Sequence, residues 1–177
     1  MKQNKLIFVI DMLNGFCYEG NLASPHIANL VSKIKDYLET NKQHDNIFFC
    51  DAHSKDDIEM EQYSYHCLKN TSEAEIVKDL KPYVKTKIEK NTTNSFLVLN
   101  PEILSKYDEF IITGCCTDIC ILQFSLNLKT YLNYIGHNKK VIIKSLLVDT
   151  FDTPSHNRDE YNKFALKLLQ NAGIIIE

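Results

Sequence analysis

Cys120 lies in the segment Thr113-Gly114-Cys115-Cys116-Thr117-Asp118-Ile119-Cys120, where an apolar run gives way to a helical pattern. Thr117 is placed as an N-cap, which puts Cys120 in the first helical turn. The unpaired N–H groups and positive dipole end of a helix start favour thiolate over thiol, and they offer donors to an oxyanion formed beside it. The position therefore suits a nucleophile, against the plainer reading of Cys120 as a small buried hydrophobe. Such a thiol needs a proton acceptor. Asp11 ends the apolar run 6–10, and a carboxylate there is costly unless it is paired or used. The competing reading is an Asp that caps the turn before Leu13-Asn14-Gly15. A lysine following a later strand would keep Asp11 charged; Lys85, Lys87 and Lys90 are the candidates, each with solvation as its commonest alternative.

Asp51-Ala52-His53 and His66 form a second constellation. One carboxylate and two imidazoles suit Zn²⁺, alternatively Fe²⁺ or Mn²⁺, with coordination positions left open for water or ligand. Surface polar residues of a long connection are the alternative. Phe16 and Tyr18, near Asp11, are the aromatics placed to wall a ring pocket, although an aromatic after a strand more often belongs to the core. His156, just before the last helical pattern, reads as a cap or interface residue. Cys17, Cys50 and Cys67 read as packing residues.

Elements of alternating type must position these groups. Apolar runs at 5–10, 46–50, 84–88, 110–113, 141–144 and 173–176 read as strands. Helical spacing begins at Ser24-Pro25 and continues through Ile27, Leu30, Val31, Ile34 and Leu38; further helices are expected at 72–80, 118–134 and 157–171. Parallel neighbours need crossovers of this length, and the crossovers cover both sheet faces. The expected fold is α/β, a three-layer α/β/α sandwich with a mostly parallel central sheet. Ligands of such sheets bind outside the carboxyl ends of the strands, where Asp11, Asp51 with His53, Lys87 or Lys90, and the 114–120 segment fall.

At 177 residues, a single domain over 1–177 is expected, and a chain of this size buries about 70% of its unfolded surface without needing disulfides or a structural metal. Twenty Lys+Arg against 23 Asp+Glu, a formal charge of −3, argue against a nucleic-acid partner, which requires a basic face. The run 6–10 is too short for a signal-peptide core, and no apolar stretch suits a membrane span. Six cysteines without an export signal read as free thiols in a reducing compartment, so a cytoplasmic location is expected.

Four segments, in order, resemble the isochorismatase-like cysteine hydrolases, and among them the nicotinamidases most closely; the resemblance spans nearly the whole chain. Asp11-Met12-Leu13-Asn14-Gly15-Phe16 resembles the opening D-x-x-N-x-F segment. Asp51-Ala52-His53 with His66-Cys67-Leu68-Lys69-Asn70-Thr71 resembles D-x-H followed by H-C-x-x-G-T. Lys90-Asn91-Thr92-Thr93-Asn94-Ser95-Phe96 resembles a lysine segment ending in S-A-F, and Gly114 to Cys120 resembles the G-x-x-T-D-x-C nucleophile loop. The resemblance implies a triad of Cys120 as nucleophile, Asp11 as base and Lys90 as electrostatic partner, with spacing to Phe96 selecting Lys90. It also implies a cis peptide between Cys115 and Cys116, an oxyanion held by the backbone N–H groups of Cys116 and Cys120, and a metal at Asp51, His53 and His66 that binds a pyridine nitrogen.

The implied activity is hydrolysis of nicotinamide to nicotinate and ammonia through a thioester. The implied partner is a small-molecule substrate, nicotinamide or a related amide, with no nucleic acid or membrane and with homo-oligomerisation left open. The alternatives are a related cysteine hydrolase acting on another amide, carbamoyl or ureido compound, and a catalytically silent metal-binding protein on the same fold. The chain departs from the family pattern in four places: Asn70 stands where Gly is usual, Ala52 where Trp is common, Asn94-Ser95 replace Ser-Ala, and Cys116 replaces a small apolar residue.

Overall fold

The computed structural model describes residues 4–177. Its centre is β1 (Lys5–Ile10), an apolar run whose side chains alternate between two faces and find core on both. β2 (Asp45–Asp51) pairs on one side of it and β4 (Glu109–Cys115) on the other. With β3 (Thr86–Lys90), β5 (Lys140–Asp149) and β6 (Ile175–Ile176), the six strands lie in the order β3-β2-β1-β4-β5-β6, every pairing parallel. The sheet thus grows one way through β2 and β3 and the other way from β4 onward. Its switch point lies between β1 and β4, where open parallel sheets leave a crevice at the strands' carboxyl ends.

The short helices α1 (Asn14–Cys17) and α2 (Pro25–Ala28) lead into α3 (Leu30–Thr40), which buries Val31, Ile34 and Leu38 against Val9, Phe48 and Ile111 on one sheet face. α4 (Leu122–Tyr134) and α5 (Arg158–Asn171) cover the other face. There Phe124 packs edge-on to Phe8 with ring centroids 4.8 Å apart and lies 5.3 Å from Phe49. The three expected layers are present. Among the described residues no helix is long and apolar enough to cross a membrane.

One expected element is replaced. Residues 72–80 hold only a 3₁₀ turn at Ser72–Ala74, after which the chain extends and Ile76 forms an antiparallel bridge with Leu13. The Asn14 N–H donates to the Glu75 carbonyl at 2.9 Å, and the Val77 N–H to the Met12 carbonyl at 3.1 Å. β-Branched Ile76 and Val77 are buried there, so pairing beside the segment after β1 overrides a helical periodicity read locally. β5 also runs to Asp149, well past 144, after a register shift between Ile112 and Gly114 of β4. Gly114 has φ +114°, and a Cβ there would lie 2.0 Å from the Ile10 carbonyl oxygen. Only glycine allows β1 and β4 to approach so closely.

Candidate active site

Asp11, Asp51, Lys90 and Cys120 all fall at the carboxyl edge of the sheet. Asp11 follows β1 with φ +54°, a left-handed conformation that Asp tolerates better than most residues. Asp51 and Lys90 end β2 and β3 and are direct cross-strand partners. The Lys90 ammonium lies 2.8 Å from Asp11 Oδ2 and bonds Asp51 Oδ1, while the Asp51 N–H donates to Asp11 Oδ1 at 3.1 Å. All three side chains are at most 2% exposed. Lys87 instead pairs with Glu89 at 2.9 Å on the exposed side, and Lys85 donates to the carbonyls of Lys42 and His44. Of the three candidate lysines, Lys90 joins the carboxylates.

Burial, with the Asp51 charge added, pushes Asp11 up to about 7 despite the opposing pull of Lys90. Burial acts on Asp51 too, but the Lys90 ammonium and the neighbouring His53 and His66 imidazoles hold it well below the usual carboxylate range. Two adjacent carboxylates are thereby driven apart, one able to accept a proton near neutrality and one held charged. Cys120 departs from the expected thiolate. Burial raises its thiol well above the ordinary range, more than the nearby ammonium lowers it. The thiol lies beside Asp11 and helps to hold that carboxylate down.

The turn after β4 also differs in detail from the expected helix start. Cys116, in extended conformation, is the N-cap, and Thr117 is buried inside a five-residue π turn, Thr117–Ile121, that opens α4. The Cys116 carbonyl accepts from the N–H groups of Ile119 and Ile121, both at 3.1 Å, and skips that of Cys120 between them. The Cys116 N–H has no protein acceptor among the described residues. The Cys115–Cys116 peptide is cis. A π insertion of this kind releases the Cys120 N–H from the i−4 acceptor that a regular helix would give it.

Asp51, His53 and His66 offer ligand atoms that all lie within 4.8 Å of one another. Each imidazole Nε2 is 3.6 Å from Asp51 Oδ2. Their other nitrogens are anchored, His53 Nδ1 3.3 Å from Asp57 Oδ2 and His66 Nδ1 2.8 Å from the Ser64 carbonyl oxygen, an outer shell of the kind that orients metal-binding imidazoles. His53 Nε2 is buried with no hydrogen-bond partner, as is Glu59 Oε1, 3.9 Å away. These donors fit a divalent transition metal. The usual glycine after His66 is replaced by Asn70 at φ +65°, and Asn is the side chain best able to stand in there. Asn94 Oδ1 accepts from the Phe96 N–H at 3.1 Å, capping the turn that its departure from the family pattern put in question.

A cavity of about 340 Å³ is lined by Asp51, His66, Cys116, Cys120 and Phe16, with Ile119 and Phe151 among its apolar walls. Tyr18 is not in it. It follows the last turn of α1 and is 59% exposed, so its expected pocket role is corrected. Sequence reasoning missed Glu59 and Tyr63, which also line the cavity. Both lie in the irregular connection between β2 and β3, where no periodic pattern marks an inward-facing residue.

A sheet and a site of this form define a hydrolase built on a three-layer sandwich, and the chain belongs to the isochorismatase family, whose Isochorismatase domain matches residues 5–173. It is 26% identical over 174 residues to "Nicotinamidase 1" of Arabidopsis thaliana, a match covering 85% of this chain and 71% of that one. The fold is that of pyrazinamidase of Pyrococcus horikoshii in complex with zinc (TM-score 0.79, 22% identity, 98% of each chain). It is likewise that of an Acinetobacter baumanii nicotinamidase (0.80, 17%, 99% of this chain and 96% of that one) and of N-carbamoylsarcosine amidase from Thermoplasma acidophilum (0.78, 19%, 98% and 95%).

Proposed function

We propose that the protein is a cysteine-dependent amidohydrolase that converts nicotinamide to nicotinate and ammonia. The observation that carries this reading is Lys90, whose ammonium is shared by the carboxylate facing Cys120 and the carboxylate facing two imidazoles. One buried cation joins a nucleophile and its base to a metal-ligating trio at one cavity. The relative named as a nicotinamidase, and the zinc-bound pyrazinamidase of the same fold, support the choice of a nitrogen-ring amide. Six buried free thiols favour a reducing, cytoplasmic setting.

Asp11 takes the Cys120 proton as sulfur attacks the amide carbon. The resulting oxyanion receives the N–H groups of Cys116 and Cys120. Asp11 returns the proton to nitrogen as the C–N bond breaks, releasing ammonia and leaving a thioester. Water, deprotonated by Asp11, attacks the thioester carbon; the carboxylic acid leaves and the thiol is restored. Lys90 holds the side chains of Asp11 and Asp51 in place throughout. Asp51, His53 and His66 would hold zinc, alternatively iron or manganese, which would supply a Lewis acid for a ring nitrogen.

The test is ammonia release from metal-analysed protein given nicotinamide, benzamide and an N-carbamoyl amino acid. Nicotinamide should be the best of the three, and chelation should raise its KM or abolish turnover without unfolding the chain. Benzamide turned over as fast as nicotinamide would remove the ring-nitrogen role. Preference for the N-carbamoyl compound would move the protein to another branch of the same chemistry.

A further inference from the structure

His156 is not the cap that its sequence position suggests. Asn157 caps α5, its side chain accepting from the Glu160 N–H at 3.0 Å. The His156 ring is sandwiched between Phe151 and Tyr161, with centroids 3.9 and 3.8 Å away. Reciprocal backbone bonds between Thr153 and His156, both 3.0 Å, close a tight turn beneath it. His156 Nδ1 lies 3.1 Å from the Phe151 carbonyl oxygen, and Nε2 lies 2.8 Å from Asp118 Oδ2. Asp118 Oδ1 is buried without a hydrogen-bond partner, which leaves His156 as the anchor of that carboxylate among the described residues.

Asp118 stands two residues before Cys120, whose N–H does not bond the Cys116 carbonyl that would be its regular i−4 acceptor. An Asp side chain readily accepts from the N–H two residues on, the Asx arrangement, and an acidic group in a first helical turn seeks the donors exposed there. The aspartate is therefore a local competitor for the donor an oxyanion would use. We infer that His156 is a positioning residue that holds Asp118 away from the Cys120 N–H and so keeps that donor open for the oxyanion. The inference rests on Cys120 being the nucleophile. It assigns the two parts of His156 different work: Nε2 restrains Asp118, and the ring face supports Phe151 in the cavity wall.

The two parts separate by mutation. His156→Phe keeps the stack and loses the bond, so kcat should fall at least about tenfold while KM stays within about threefold. His156→Gln carries a donor near the Nε2 position, and it should recover most of kcat while raising KM. Adding Asp118→Ala to His156→Phe removes the competitor and should raise kcat at least about threefold above the single variant. A wild-type kcat in His156→Phe, or a double variant no faster than the single, would overturn the inference. Amide hydrogen exchange at Cys120, followed by NMR, needs no substrate: it should slow at least about threefold in His156→Phe and recover in the double variant. Unchanged exchange also overturns the inference. Failure of nicotinamide as a substrate would count against the proposed function alone, because the exchange measurement stands without it.

Discussion

Lys90 sits between two buried carboxylates, and each neighbour sets what its loss would do. Lys90→Ala leaves Asp11 and Asp51 facing one another without a cation, so beyond losing activity it should lower stability by about 3–5 kcal/mol, the cost of breaking a buried ion pair. Lys87→Ala removes an exposed pair with Glu89 and should stay within about 0.5 kcal/mol. Urea unfolding distinguishes the two, and equal midpoints would contradict the buried position of Lys90. Cys120→Ala should reduce turnover on the order of 10³-fold or more with an unchanged unfolding midpoint. Cys116→Ala is the matched control: it keeps the backbone N–H, and it should retain substantial activity. Equal losses in both variants would locate the defect in the turn, not in the sulfur.

At the scale of elements, the site depends on close approaches that ordinary residues would block. Gly114 brings β4 against Ile10, and Gly114→Ala should cost at least about 3 kcal/mol, because a methyl group would meet backbone and the φ is unfavourable as well. Asn70 offers the opposite case. Its φ of +65° costs most residues about 1–2 kcal/mol, so Asn70→Gly should match or exceed the parent stability while Asn70→Ala falls below it. Thermal unfolding of the three proteins checks the order. Ala above Asn would show that the loop carrying His66 does not need this conformation.

In the whole molecule, both apolar clusters that flank the sheet are built from hydrophobic side chains and draw on none of Asp51, His53 and His66. Metal should therefore act as a ligand of the folded state and not as a condition for folding. At about 100 times its Kd, zinc should add about 2.7 kcal/mol, which for a chain of this size raises Tm by roughly 5–10 °C. His53→Ala should abolish the rise while staying folded. Calorimetry with and without zinc reads this directly, and an unchanged Tm in the parent protein would argue against a three-ligand site.

The sequence by itself determined the layered α/β order, the strand-end positions of Asp11, Asp51 and Lys90, and the segment around Cys120. Short buried runs ending in polar residues and motifs held within a few residues survive as local patterns, because strand period and turn chemistry are local. Tertiary structure decided the rest. Lys90, which the resemblance selects over Lys85 and Lys87 by spacing to Phe96, is set between the two carboxylates by the pairing of β3 with β2, which fixes which face each side chain takes. The 72–80 helix gave way to a bridge with Leu13, and Tyr18 left the pocket when α1 ended beside it. The Thr93 N–H donates to Glu59 and His156 bonds Asp118, both between residues far apart in the chain. The Cys120 thiol was likewise settled by its surroundings: a helix start favours the anion, but burial outweighs it once the sheet and α4 close around the sulfur.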